Sequence, residues 1–175
     1  KGLIKTAIRD DNPVMFLVSR PIYQIDGPVP TDNYEIPFGV ADIKRSGEDV
    51  TIVAVGGMVN AALQAAKELE TDGISCEIVD PRTLVPLDRN TIVSSAKKTG
   101  RVIVVDEGYE QYGVTAELAC VISESAFGFL KAPVIRIGSM NVPVPFTPIL
   151  EDITVPNSDS IGEAVRMLCN TSMDN

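Results

Sequence analysis

Between Val50 and Ile137 short apolar runs alternate with amphipathic helical patterns, and this alternation narrows the fold more than any other feature of the chain. Val50 to Val55 is apolar and β-branched, and after Gly56-Gly57 come Val59, Ala62, Leu63 and Ala66 at the i, i+3, i+4, i+7 spacing of one helix face. Gly73 suits the end of that helix. Residues 74–79 read as the next strand and 81–87 as a loop, with Asp88 the expected N-cap of a helix through Ile92, Val93 and Ala96 that Gly100 closes. Residues 101–105 form a third strand, Leu118, Ala119, Ile122 and Ala126 mark a helix after Gly113, and Pro133 opens a strand over 134–137. Strands separated by whole helices need crossover connections, so the pattern predicts an α/β fold: an open, doubly wound, mostly parallel sheet with helices on both faces. Residues 41–44, short and half polar, suit an edge strand, with antiparallel pairing one option. Residues 138–157 read as irregular, and a last helix carries Ile161, Ala164, Val165 and Leu168 on one side.

Ahead of this block, Leu3, Ile4, Ala7 and Ile8 make an apolar helical stripe, Pro13 stops the helix, and residues 14–18 read as a buried strand. Both elements want neighbours, and the chain has no initiator Met. The expectation is a tail of a larger protein, with part of the chemistry upstream. The length fits one domain with an arm.

A net charge of -9 argues against nucleic acid as a partner, because that affinity rests on neutralising phosphates with Lys and Arg. No apolar run approaches the roughly 20 residues of a membrane span, which argues against a membrane role. Cys76, Cys120 and Cys169 lie far apart; two of them fall on apolar helical patterns as small hydrophobes, and a reducing compartment follows. Histidine is absent, which removes Ser-His-Asp and Cys-His catalysis and His-based zinc sites. Asp106 and Glu107 sit where a strand should end, but neighbouring strand residues point to opposite faces, so they do not make a paired-carboxylate site. No catalytic residue and no cofactor-binding residue is assigned in this chain.

Three loops invite functional readings. Gly56-Gly57 stands between a strand and a helix N-terminus, where an anion could bind, yet it matches no phosphate-loop pattern and a tight turn explains it. Asp106-Glu107-Gly108 with Gly113 occupies the carboxyl edge where open α/β sheets bind ligands. A surface or interface role is the reading preferred there. Val142-Pro-Val-Pro-Phe-Thr-Pro has PxxP spacing that could dock in an aromatic groove, against the plainer reading of a strap across the domain with Phe146 packed. The acidic excess could steer a basic partner or be an ordinary solvated surface.

Lys1-Gly-Leu-Ile-Lys-Thr-Ala-Ile-Arg-Asp-Asp-Asn-Pro-Val resembles a specific stretch in beta subunits of the thiamine-diphosphate-dependent first component of pyruvate dehydrogenase complexes. Similar phrases follow in order: Ile36-Pro-Phe-Gly, Ala41-Asp-Ile-Lys-Arg, Asp80-Pro-Arg-Thr-Leu with Pro86-Leu-Asp, Val105-Asp-Glu-Gly-Tyr, Gly113-Val-Thr-Ala-Glu, Ala132-Pro-Val-Ile-Arg and Val142-Pro-Val-Pro-Phe. The likeness extends to beta subunits acting on branched-chain 2-oxo acids and acetoin, and more distantly to transketolase. It implies that residues 1–35 are the tail and linker of an upstream pyrimidine-binding domain, and that residues 36–175 are a transketolase C-terminal-like domain. It further implies thiamine diphosphate and magnesium in the full complex, held outside this chain and partly by an alpha subunit. The implied partners are that alpha subunit, a second beta subunit in a homodimer, and the basic peripheral-subunit-binding domain of the acyltransferase core, with Glu151, Asp152 and Asp159 as candidate contacts. The implied location is the cytoplasm of a bacterium, or the mitochondrial matrix or plastid of a eukaryote.

One metal site carries over by position. The family's potassium site takes oxygens from the loop that ends its equivalent of the first helix, which maps onto Ala7, Ile8, Asp10 and Asn12. Helix-end carbonyls lack intrahelical donors and suit a weakly hydrated cation, and a plain helix C-terminus would look the same. The resemblance breaks at Leu17-Val-Ser-Arg-Pro-Ile-Tyr, where the family has a Glu-containing phrase; a role resting on that acid does not carry over, and a substrate preference shifted away from pyruvate is one consequence. The rival reading is a stand-alone acidic α/β module that binds a small ligand around Gly56 and Gly108.

Overall fold

The computed structural model describes residues 1–170, without the side chain of Pro21; the last five residues of the expected 36–175 domain lie outside the described residues. Five strands, β1 (Asp42–Arg45), β2 (Val50–Ala54), β3 (Cys76–Asp80), β4 (Val102–Tyr109) and β5 (Ile135–Ser139), form one sheet in the order β1-β3-β2-β4-β5. β1 pairs antiparallel with β3 at the edge, and the other pairs are parallel. The helices are α1 (Gly2–Arg9), α2 (Met58–Leu69), α3 (Arg89–Thr99), α4 (Val114–Ala126), α5 (Pro148–Thr154) and α6 (Ser158–Asn170).

Strand alternation sorts the core into two layers. Val50, Ile52, Ala54, Ile78 and Ile103 face α2 and α6, where Ala62, Ala66, Ile161 and Val165 close over them. Val53, Val79, Val102 and Val104 face α3 and α4, meeting Ile92, Ala96, Leu118 and Ile122. On this second face the Thr51 hydroxyl donates to the Ser95 carbonyl at 2.9 Å and lies 2.9 Å from the Thr99 hydroxyl. Glu77, 1% exposed, takes the Lys98 ammonium.

Asp88 caps α3 as expected, with Oδ1 accepting from the Thr91 N–H at 3.1 Å. Its Oδ2 accepts from the Ala41 N–H at 3.0 Å, so the cap also ties down the approach to β1. Gly73 and Gly100 end their helical segments with φ of 74° and 73°, a conformation that favours glycine.

Four expectations need correction. Residues 14–18 form no strand, and Met15 and Leu17 are 85% and 79% exposed. The segment crosses the carboxyl ends of the strands, where Phe16 and Val18 stand beside Val55 and Gly56, and a chain placed there has no sheet edge to pair with. Residues 138–157 are not wholly irregular, since Thr147-Pro148 opens α5 and proline is well placed in a first turn. Phe146 is not packed under a strap but fully exposed, and it joins neither core layer. Cys120 points outward from α4, so it does not join the core as Cys76 does.

Candidate functional site

Open α/β sheets bind ligands outside the carboxyl ends of two adjacent strands whose connections leave in opposite directions. Here those strands are β2, which leads through α2 to β3 on one side, and β4, which leads through α4 to β5 on the other. Their ends carry Gly56-Gly57 and Asp106-Glu107-Gly108, so the structure brings together two loops that are 50 residues apart in sequence.

β4 does not stop at Val105 but continues to Tyr109. Against β5 its register shifts: Val105 pairs with Ile137 and Tyr109 with Ser139, four residues advancing against two. Such a bulge re-aims side chains at a strand end. Asp106 folds back, its Oδ2 accepting from the Gly108 N–H at 3.2 Å. Glu107 turns the other way, into the crevice, and its carboxylate accepts from the Ser19 hydroxyl, with Oε1 at 3.1 Å and Oε2 at 3.3 Å. The Ser139 hydroxyl donates to the Glu107 carbonyl at 2.6 Å and holds the bulge.

This arrangement answers the anion question at Gly56-Gly57. The seat beside the α2 N-terminus is taken by the chain's own carboxylate, since a Cβ on Gly57 would lie 2.1 Å from Glu107 Oε1. A diphosphate does not fit beside that negative charge, so these residues do not suit thiamine diphosphate. A cavity of about 260 Å³ lies next to the crevice, between the arm and the ends of β2 and β3. Its walls are mostly apolar, and its one guanidinium, Arg82, already bonds Asp42 Oδ2 at 2.6 Å.

Ala7, Ile8, Asp10 and Asn12 sit together at the C-terminal end of α1. Asp10 leaves the helical conformation at ψ 138°, and its Oδ1 accepts from the Asn12 N–H at 2.8 Å and from the Asn12 side-chain amide at 3.0 Å. Those two bonds hold the Asp10 carboxyl below its ordinary value. Carbonyls, a carboxylate and an amide are hard oxygen donors, which fits an alkali cation. Among the described residues no group of three or more His, Cys, Asp or Glu could hold a metal ion.

Glu151, Asp152 and Asp159 are all exposed, the first two on α5 and the third in the first turn of α6. None of them enters an ion pair among the described residues. No helix there is long and apolar enough to cross a membrane. The Ser19–Glu107 pair was not legible beforehand, because its partners are 88 residues apart and the bulge that aims Glu107 has no local signature. The one available signal was a second glycine after β2 where a turn needs only one.

Comparison with known proteins gives this geometry a family. Residues 39–161 match the model of the transketolase C-terminal domain. The chain is 45% identical over 161 residues to the beta subunit of acetoin:2,6-dichlorophenolindophenol oxidoreductase from Bacillus subtilis, covering 92% of this chain and 47% of that protein. It is 44% identical over 173 residues to the beta subunit of the pyruvate dehydrogenase E1 component from Rickettsia felis, covering 99% of this chain and 53% of that one. A solved split-gene transketolase, described as an inactive beta4 tetramer, superimposes with a TM-score of 0.69 at 34% identity, over 77% of this chain and 44% of that one. The chain thus spans about half the length of the curated relatives it matches. An α/β sheet of this order, matched over most of its length, places the chain in the transketolase C-terminal domain family, with beta subunits of 2-oxo acid and acetoin dehydrogenases among its relatives.

Proposed function

We propose that the chain is the C-terminal region of the beta subunit of a 2-oxo acid dehydrogenase first component, and that it serves assembly and docking rather than chemistry. The supporting observation is the family match over residues 39–161 joined to 44–45% identity, across nearly the whole chain, with the beta subunits of a pyruvate dehydrogenase E1 component and of an acetoin oxidoreductase. Residues 1–35 are then the tail and linker of an upstream domain, and residues 36–175 the assembly domain. The complete enzyme decarboxylates a 2-oxo acid on thiamine diphosphate with magnesium and passes the acyl group to a lipoyl carrier. Those cofactors are held by the upstream domain and an alpha subunit, consistent with a crevice already filled by Glu107. The near-equal identity to an acetoin and a pyruvate enzyme leaves the substrate to be assigned by assay.

Potassium would take the carbonyls of Ala7 and Ile8 with oxygens of Asp10 and Asn12, the remaining ligands coming from outside this chain. Two beta subunits pair, and the pair docks a basic subunit-binding domain of the acyltransferase core. The charge pattern supports the docking: residues 102–130 hold five Asp or Glu, residues 137–165 hold four, and neither stretch has a Lys or Arg. Binding through exposed carboxylates such as Glu151, Asp152 and Asp159 should weaken steeply with salt.

The test is to produce the chain alone and joined to its upstream sequence and alpha subunit, then to measure carbon dioxide release from pyruvate and 2-oxoisovalerate and dye reduction with acetoin. Activity is expected only in the assembled protein. Micromolar binding of thiamine diphosphate by the chain alone, or an assembled protein inactive on all three substrates, would overturn the proposal.

A further inference from the structure

We infer that the crevice between β2 and β4 is a binding site for the chain's own arm, in which Glu107 selects a hydroxyl-bearing side chain at position 19 and Gly57 makes room for the pair. The two glycines there have different reasons to be glycine. Gly56 has φ +58, a conformation that L side chains rarely adopt, so the turn itself demands it. Gly57 has φ -62 and ψ -24, ordinary helical values open to any residue. What excludes a side chain at Gly57 is the occupant of the crevice, because an added Cβ would meet Glu107 Oε1 at 2.1 Å and Ser19 Oγ at 3.1 Å.

The partner is equally restricted. Both oxygens of Glu107 face Ser19, so the position must offer a donor. An acidic side chain would be repelled, and alanine would leave the carboxylate unanswered in a part-buried crevice. This contact is the only hydrogen bond from residues 10–29 to a strand among the described residues. The place where such sheets hold a small ligand here holds a side chain in cis, and the sheet thereby sets the path of the arm. The inference stands on this geometry whether or not the proposed activity holds.

Hydrogen exchange of the full chain tests it, comparing amides of residues 14–25 with those of β2 and β4. Ser19→Ala, Glu107→Ala and Gly57→Ala are each expected to speed arm exchange about tenfold, as loss of a hydrogen bond to a charged group implies. Ser19→Thr keeps the donor and is expected to stay within about twofold of wild type, while Glu107→Gln keeps an acceptor without the charge and is expected to fall between wild type and Glu107→Ala. Strand amides should stay slow throughout. Arm exchange unchanged in Ser19→Ala and Glu107→Ala, or raised as much by Ser19→Thr as by Ser19→Ala, would overturn the inference. Should Gly57→Ala also speed the strand amides, the Ser19 pair alone decides.

Discussion

Residues 14–18, Val-Met-Phe-Leu-Val, are more hydrophobic than residues 50–54, Val-Thr-Ile-Val-Ala, yet only the second run is in the core. Met15 and Leu17 are 85% and 79% exposed, whereas Val50, Thr51, Ile52 and Val53 have no exposed surface. The difference lies in neighbours: β2 pairs with β3 on one side and β4 on the other, while the arm lies across strand ends and contributes no rung to the sheet. An apolar run is thus a demand for burial, and the fold decides whether this chain or a partner meets it.

The largest expected effect sets these two runs against each other. Ile52→Ala should cost about 3–4 kcal/mol in chemical denaturation, as truncation of a fully buried aliphatic side chain does. Leu17→Ala should cost less than about 0.5 kcal/mol. Equal losses would erase the distinction. Next comes the buried charge: Lys98→Met leaves Glu77 in the core without its ammonium and should destabilise by about 2–3 kcal/mol, more than removal of any exposed charge on the arm.

The third effect is about 1 kcal/mol and pH-dependent. Burial raises the Asp88 carboxyl, but the Ala41 N–H, the Thr91 hydroxyl and N–H and the Asn90 N–H outweigh it and hold the group below its ordinary value. A carboxyl depressed in the folded state stabilises above the unfolded value near pH 4, and that contribution fades as pH falls through the folded value. Asp88→Ala should therefore lose about 1 kcal/mol at neutral pH and differ little from wild type in strong acid, measured as the gap between the two unfolding curves.

Smaller still are two labelling and ligand effects. Burial, with Cys169 and Asp49 nearby, pushes the Cys76 thiol up to about 12, whereas Cys120 stands in solvent with its thiol raised chiefly by the hydrogen bond to Glu124. Iodoacetamide at pH 8 should reach Cys120 first and Cys76 only on unfolding. If the oxygens at Asp10 and Asn12 supply only part of the proposed potassium site, replacing sodium with potassium should move the melting temperature of the chain by about 1 °C or less. A clear potassium-specific rise would mean that the cage closes within this chain.

The regular block was legible because its signals are local. Alternation of strand and helix gave the sheet, Asp88 its cap, Gly73 and Gly100 their ends, and the half-polar run at 41–44 its antiparallel edge. Long-range placement was not legible. Nothing near residue 16 says that the arm will cross strand ends rather than join an edge, and nothing near Phe146 says that its ring will stay outside both core layers. At the site, the gathering of Gly56 and Glu107 followed from topology, but the bulge that turns Glu107 toward Ser19 depends on pairing with β5.

The central claim is that the arm is surface awaiting a partner, while the sheet stands by itself. Hydrogen exchange over residues 14–29, followed in the chain alone and in protein assembled with the upstream sequence and alpha subunit, tests it most directly. The expected result is arm exchange in the chain alone that is slowed only modestly by the Ser19–Glu107 contact and slows at least a further hundredfold on assembly, with β2 and β4 slow in both. Fast exchange of the arm in a fully assembled, active protein would contradict the account.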